Sequence, residues 1–166
     1  MDDALMSAPL FASLDDDASA ALRQTMVKVE FSKGAVVFHE GDQGDRLYVV
    51  IDGKVKLGHA SPDGRENLLS VLGPGEMFGE LSLFDPGPRT STATALTDCT
   101  LMGLGHDDLH TWLTGRPTLA QELLKALAQR LRRTNEALGD LVFADVPGRV
   151  AKALMDLSAK FGTTTD

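Results

Sequence analysis

With 166 residues, 43% of them hydrophobic and 24% charged, the chain has the size and composition of one folded domain plus a helical appendage, and lies outside the regime of disorder. A formal net charge of −8 is opposite to the basic footprint of a nucleic-acid-binding domain and argues against a DNA-reading face in these residues. Cys99 is the only cysteine, so one chain can build neither a disulfide framework nor a thiolate-ligated zinc or iron–sulfur site.

Residues 1–24 carry Leu5, Leu10, Phe11, Leu14, Ala18, Ala21 and Leu22 at broadly helical spacing, interrupted by Pro9 and restarted near Asp15–Asp17, acids that suit a helix N-terminus. The first residues, Met-Asp-Asp-Ala-Leu, are acidic where a secretory signal needs positive charge. No apolar run approaches the ~18–20 residues of a membrane span. These features predict a protein that stays in a reducing cytoplasm, without membrane partners.

From about residue 27 to 105 short runs of Val, Ile, Leu, Phe and Tyr are cut by glycines at positions 34, 41, 44, 53, 64, 73, 75, 79 and 87. That spacing predicts many short antiparallel strands in an all-β sandwich or barrel. Asp52-Gly53, between Leu47–Ile51 and Val55–Leu57, predicts one hairpin; Ser61-Pro-Asp-Gly-Arg65, between Val55–His59 and Asn67–Leu72, predicts a second. Cys99 falls on a strand as a small core residue. A short helix is expected around Asp107–Leu113, a long one from Pro117 to about Phe143, and a last one, Val150–Lys160, after an Asp145-Val-Pro-Gly-Arg cap.

On the long helix Ala120, Leu124, Leu127, Leu131, Thr134, Leu138 and Leu141 alternate spacings of four and three, a heptad seam that wants a partner helix. Thr134, followed by Asn135, interrupts it with a polar residue, which either sets register or marks something polar bound there. The charge divides along the same line: residues 1–116 hold 9 basic and 18 acidic side chains, residues 117–166 hold 7 and 6. Gly139 within this helix costs about 1 kcal/mol relative to alanine, which close helix–helix approach at a dimer axis would offset.

The richest chemistry lies in Phe78-Gly-Glu-Leu-Ser-Leu-Phe-Asp-Pro-Gly-Pro-Arg-Thr-Ser-Thr-Ala93. The Arg89 guanidinium is a fork of donors matched to a phosphate, and the hydroxyls of Thr90 and Ser91 can complete an anion's shell. The Glu80 carboxylate can accept hydrogen bonds from a sugar diol. A solvated Glu and Arg on a loop is the competing reading. His106-Asp-Asp-Leu-His110 has the i, i+4 spacing of a metal pair but no third ligand, and reads as two surface histidines. Gly73-Pro-Gly-Glu-Met-Phe-Gly79 misses the dinucleotide fingerprint and reads as a turn. Arg132 and Arg133 read as solvated helix face.

Phe78-Gly-Glu-Leu-Ser-Leu, Pro88-Arg-Thr-Ser-Thr-Ala93 and Glu40-Gly-Asp-Gln-Gly-Asp-Arg-Leu-Tyr resemble the phosphate-binding cassette and β-roll of cyclic-nucleotide-binding domains. Arg130-Leu-Arg-Arg-Thr-Asn-Glu-Ala-Leu-Gly-Asp-Leu and Asp145-Val-Pro-Gly-Arg-Val-Ala resemble the dimerisation helix and hinge of the cyclic AMP receptor branch of the Crp/Fnr regulators, its actinobacterial members above all. The resemblance covers effectively the whole chain. It implies a mainly β fold with helices: a cyclic-nucleotide-binding β-roll (jelly roll) with N-terminal helices over 1–116, and a long homodimerisation helix over 117–144. Residues 145–166 would be a hinge and first helix leading to a winged helix-turn-helix domain absent from this chain, through which alone DNA is bound.

The resemblance also implies that Gly79, Glu80 and Leu81 form the cassette turn, with Glu80 accepting from the ribose 2′-hydroxyl. Arg89, helped by Thr90, would pair with the cyclic phosphate. Arg130 would orient Glu80, Thr134 would bond the base, and Asn135, where the family's best-known member carries serine, would reach it from the partner subunit. Thr90 in its place favours cyclic GMP in eukaryotic relatives, while the Thr134-Asn135 pair resembles a cyclic AMP reader; cyclic AMP is the expected allosteric ligand, with no metal or other cofactor. The implied function is a ligand-sensing regulator rather than an enzyme. Two alternatives compete: a cupin-like metal enzyme using His39, His59 and Glu66, which lack paired His-x-His spacing, and a dimerisation module that has lost its ligand.

Overall fold

The computed structural model describes residues 2–61, 66–85, 87–143 and 146–162. Two helices, α1 (Asp2–Met6) and α2 (Asp16–Thr25), precede the strands β1 (Val27–Phe31), β2 (Val36–Phe38), β3 (Arg46–Asp52), β4 (Val55–Ala60), β5 (Glu66–Leu72) and β6 (Met77–Phe78). A short α3 (Leu81–Phe84) separates these from β7 (Thr92–Ala95) and β8 (Cys99–Gly105), and α4 (His106–Gly115), α5 (Pro117–Phe143) and α6 (Val146–Phe161) follow. Asp15 starts α2, its carboxylate accepting from the Ala18 amide at 2.8 Å.

The strands form two four-stranded antiparallel sheets, in the orders β1-β8-β3-β6 and β2-β7-β4-β5. Their facing sides enclose one core of Val50, Val55, Leu57, Leu72, Phe78, Ala93, Ala95, Cys99 and Leu101. The outer side of the first sheet carries a second core, where Leu47, Val49, Ile51 and Leu104 meet Leu5 of α1, Leu10 and Phe11 of the turn that follows it, Leu22 of α2, and Leu109, Leu119 and Leu123 from α4 and α5. β3 is buried on both faces, which explains its nearly continuous apolar run, Leu-Tyr-Val-Val-Ile. Leu101 is fully buried between the sheets. Leu101→Ala is expected to cost about 2–5 kcal/mol and to lower the thermal midpoint by roughly 5–15 °C in a calorimetric scan.

The Asp52-Gly53 turn corrects the first hairpin expectation. β3 pairs with β8 and β6, whereas β4 pairs with β5 and β7, so the chain crosses from one sheet to the other at this turn. Gly53 does take the left-handed conformation, φ +86°, and a Cβ there would collide with the Asp98 carbonyl and Cys99. The turn stands where the sequence places it, but it joins two sheets rather than two strands of one. The second expected pair, β4 with β5, is antiparallel as anticipated, and residues 62–65 of its turn lie outside the described residues. Asp145, expected to cap the last helix, also lies outside them.

The chain divides into two units, Met1–Leu123 and Leu124–Asp166, with the division inside α5. The reason is burial: Leu119 and Leu123 are sealed in the helical side of the first unit's core. In the second unit Leu124, Leu131 and Leu138 of the heptad seam are 65, 61 and 55% exposed, a row of large apolar side chains open to solvent in the single chain. Gly139 on the same helix leaves open space as well: a Cβ there would meet nothing within 4 Å. α6 likewise exposes Val146, Val150, Leu154, Met155 and Leu157.

Candidate functional site

The segment after β6 turns sharply because Gly79 adopts φ +80°. Glu80 follows in right-handed helical conformation and leads into α3, whose first residue is Leu81. This helix is four residues long. Glu80 is 1% exposed and Leu81 is 45% exposed, so the turn drives the carboxylate inward and the leucine outward.

Arg89 is locked against this turn. Its Nη1 donates to the Gly79 carbonyl and its Nη2 to the Arg46 carbonyl at the start of β3, both at 2.7 Å. The guanidinium lies 4.2 Å over the Phe38 ring. Phe38 belongs to an aromatic trio with Tyr48 and Phe78, ring centroids 5.4–6.3 Å apart, which floors the site. The Arg89 main chain is held as firmly: its amide donates to the Asp42 carbonyl at 2.7 Å and its carbonyl accepts from the Gly41 amide at 2.9 Å.

Arg89 is 4% exposed, and among the described residues its Nε is buried without a hydrogen-bond partner. Burial pushes its pKa below the ordinary arginine value, opposed by the negative charges or dipoles of Tyr48, Asp45, Asp42 and Glu80. Burial also raises the Tyr48 phenol, which stays neutral at physiological pH. The guanidinium is therefore a desolvated cation whose contacts are two carbonyls and a ring, with no paired carboxylate among the described residues. Such a group gains most from an anion that can use its fork.

Gly79, Glu80 and Arg89 are thus brought together. Thr90 sits exposed in the bend after Arg89, while Ser91 is buried at 7% exposure. Phe38, the Arg46 carbonyl and the burial of Ser91 are parts of the site that sequence reasoning misses. The unbroken apolar run Val-Val-Phe of β2 hints at a core aromatic, but nothing local ties it to a guanidinium about fifty residues on. Arg130, Thr134 and Asn135 belong to the second unit, on α5: Arg130 is half-buried, Thr134 and Asn135 are exposed, and the Thr134 hydroxyl donates to the Arg130 carbonyl at 3.0 Å.

The His106 and His110 rings stand 6.3 Å apart on α4, and His106 lies 3.3 Å from Asp107. Among the described residues no three His, Cys, Asp or Glu side chains are grouped to hold a metal ion, and no helix is long and apolar enough to cross a membrane.

Gly79→Ala is a direct check on the turn. Its Cβ would stand 2.7 Å from Arg89 Nη1 and 3.2 Å from the Arg46 carbonyl, at a φ that L residues disfavour. The variant is expected to lose about 1–3 kcal/mol of stability by denaturant melting and to bind anions less well than the wild type.

Known proteins give this geometry its context. A family described as cyclic nucleotide-binding domain matches residues 28–115. The CRP-like cAMP-activated global transcriptional regulator of Mycobacterium tuberculosis is 53% identical over 163 residues, covering 98% of this chain and 73% of that protein. Among solved structures, the N-terminal domain of a transcriptional regulator from Streptomyces coelicolor A3(2) is 61% identical with a TM-score of 0.66, covering 81% of this chain and 96% of that one. The c-di-GMP responsive global regulator CLP of Xanthomonas campestris is 26% identical with a TM-score of 0.81, covering 91% of this chain and 76% of that one. The β-roll, the buried cassette turn and these likenesses converge: the chain belongs to the Crp/Fnr family of transcriptional regulators and carries that family's cyclic nucleotide-binding domain.

Proposed function

We propose that this chain is the cyclic AMP-sensing part of a homodimeric transcription regulator, in which the nucleotide biases the dimer helices and thereby DNA binding. One observation carries the reading: Arg89 is a buried cation, stacked on Phe38 beside the Glu80 turn, with carbonyls but no carboxylate as partners among the described residues. A cyclic phosphate supplies the missing anion, and Glu80 accepts from the ribose 2′-hydroxyl beside it. Gly79 and Leu81 shape the turn, and Thr90 adds a hydroxyl to the phosphate. From α5, Arg130 orients Glu80, Thr134 bonds the base, and Asn135 reaches the nucleotide bound by the partner subunit.

In this reading residues 1–116 sense, residues 117–144 dimerise, and residues 145–166 form the hinge and the helix beyond it. A ligand that touches both the cassette and the long helix interacts differently with states that place them differently, which is the requirement for a population shift. Cyclic AMP is favoured over cyclic GMP by the Thr134-Asn135 pair and by the cAMP-activated relative at 53% identity. The c-di-GMP responsive likeness, at 26%, makes the choice of nucleotide the point to test. Displacement of a fluorescent cyclic AMP analogue by cyclic AMP, cyclic GMP and cyclic di-GMP separates the three. Cyclic AMP is expected to displace it at the lowest concentration; displacement first by cyclic di-GMP or cyclic GMP overturns the assignment.

A further inference from the structure

The loop that grips the Arg89 main chain is itself tied down by a histidine. Residues 39–43 close a small turn, in which the His39 amide donates to Asp42 Oδ2 at 2.8 Å and the Asp42 amide to the His39 carbonyl at 3.2 Å. This turn holds Arg89 from both sides through Gly41 and Asp42, and Gln43 bridges to Pro88. The Glu40 amide donates to Thr92 Oγ1 at 3.0 Å, fastening the loop to the start of β7. The Glu40 side chain then reaches one strand further, its Oε2 lying 3.0 Å from His59 Nδ1 on β4. Loop, β7 and β4 are therefore stitched across a single residue, Glu40.

Both side chains of this pair are 42% exposed, so protons reach them freely. Among the described residues, the charged and titratable groups near His59 in the loop and strands are these. The loop brings His39, Glu40 and Asp42; β5 sets the uncharged Asn67 opposite His59 and Glu66 opposite the next residue; β7 sets Thr92 opposite Gly58; Lys56 precedes on the same strand. Glu40 is the carboxylate in contact. With His59 neutral the contact is a hydrogen bond from an uncharged imidazole to the carboxylate, and with His59 protonated it becomes an ion pair as well.

We propose that Glu40 and His59 are a positioning pair for Arg89, tightening the 39–43 loop when His59 is protonated, so that affinity for the anionic nucleotide rises as pH falls. The inference rests on the cyclic-nucleotide reading of the site and adds a proton input to it. Neither residue touches the phosphate in this scheme; both act through the main chain of Arg89.

The test is cyclic AMP affinity of the full chain at about pH 6 and about pH 8, a range in which histidine changes charge. The wild type is expected to bind about two- to fivefold more tightly at the lower pH, the size a half-exposed pair supports. Glu40→Gln keeps His59 titrating but removes the ion pair, and is expected to bring the pH ratio to about one. His59→Arg, cationic throughout, is expected to bind tightly at both values with a ratio near one. A flat wild-type profile overturns the proposal, as does a pH effect that survives in Glu40→Gln, which would mean His59 acts only as a distant charge. A pH effect that survives in His59→Arg also overturns it, assigning the titration to another histidine. Absence of cyclic AMP binding at both pH values sinks the cyclic-nucleotide reading itself. In that case the amide shifts of Gly41 and Arg89 in the ligand-free protein judge the latch alone: they are expected to titrate with the His59 ring in the wild type and not in Glu40→Gln, and indifference in the wild type overturns it.

Discussion

Arg89→Met is expected to weaken cyclic AMP binding by about ten- to a hundredfold while leaving the ligand-free protein close to wild-type stability. The first half follows from losing a charge-assisted contact worth about 1.5–3 kcal/mol. The second half follows from the burial of the guanidinium. A cation held at 4% exposure by carbonyls and a ring, with its pKa depressed by desolvation, contributes little net stability to the empty site. Methionine keeps the contact with Phe38 and removes the desolvation cost, while forfeiting the hydrogen bonds to Gly79 and Arg46. Thermal melts with and without nucleotide measure both halves: the midpoint without ligand changes by only a few degrees, and the rise on adding cyclic AMP is lost. An affinity unchanged from wild type would mean that the phosphate does not sit on Arg89.

The second large effect concerns the seam. Leu124 and Leu131 are 65 and 61% exposed in the single chain, so replacing them leaves no cavity in either core. Covered by a partner helix, each would contribute about 1.5–3 kcal/mol, and a dimer contains both copies. Leu124→Glu/Leu131→Glu is therefore expected to raise the dimer dissociation constant at least about a thousandfold without altering the far-ultraviolet circular dichroism. Sedimentation equilibrium at micromolar protein checks this: two chains for the wild type, one for the variant. A wild-type mass of one chain would remove the seam's assigned role.

The two predictions depend on features of different legibility in the sequence. Apolar periodicity places α2, α5 and most strands, because a stripe of leucines at 3.5-residue spacing or a Val/Ile run between glycines has few other solutions. The pairing of those strands is less accessible. Asp52-Gly53 demands a positive φ whether the chain folds back on its own sheet or crosses to the facing one, and only the shared core of Val50 and Val55 decides for the crossing. The same limit holds in the site. Glu80 and Arg89 are visible from their chemistry and their motif, whereas Phe38 under Arg89, the Arg46 carbonyl and the Glu40–His59 contact join residues between nineteen and fifty-one positions apart. Local spacing carries no information about such pairs. Ser91 and Thr90 look alike as adjacent hydroxyls in the sequence; strand alternation entering β7 turns Ser91 inward and Thr90 outward.

Titration calorimetry of cyclic AMP into the wild-type chain bears most directly on the proposed function. A buried guanidinium beside a buried carboxylate predicts saturable binding of one nucleotide per chain, with the heat lost or the affinity reduced about ten- to a hundredfold in Arg89→Met. A folded wild-type protein that gives no binding heat at millimolar cyclic AMP would contradict it.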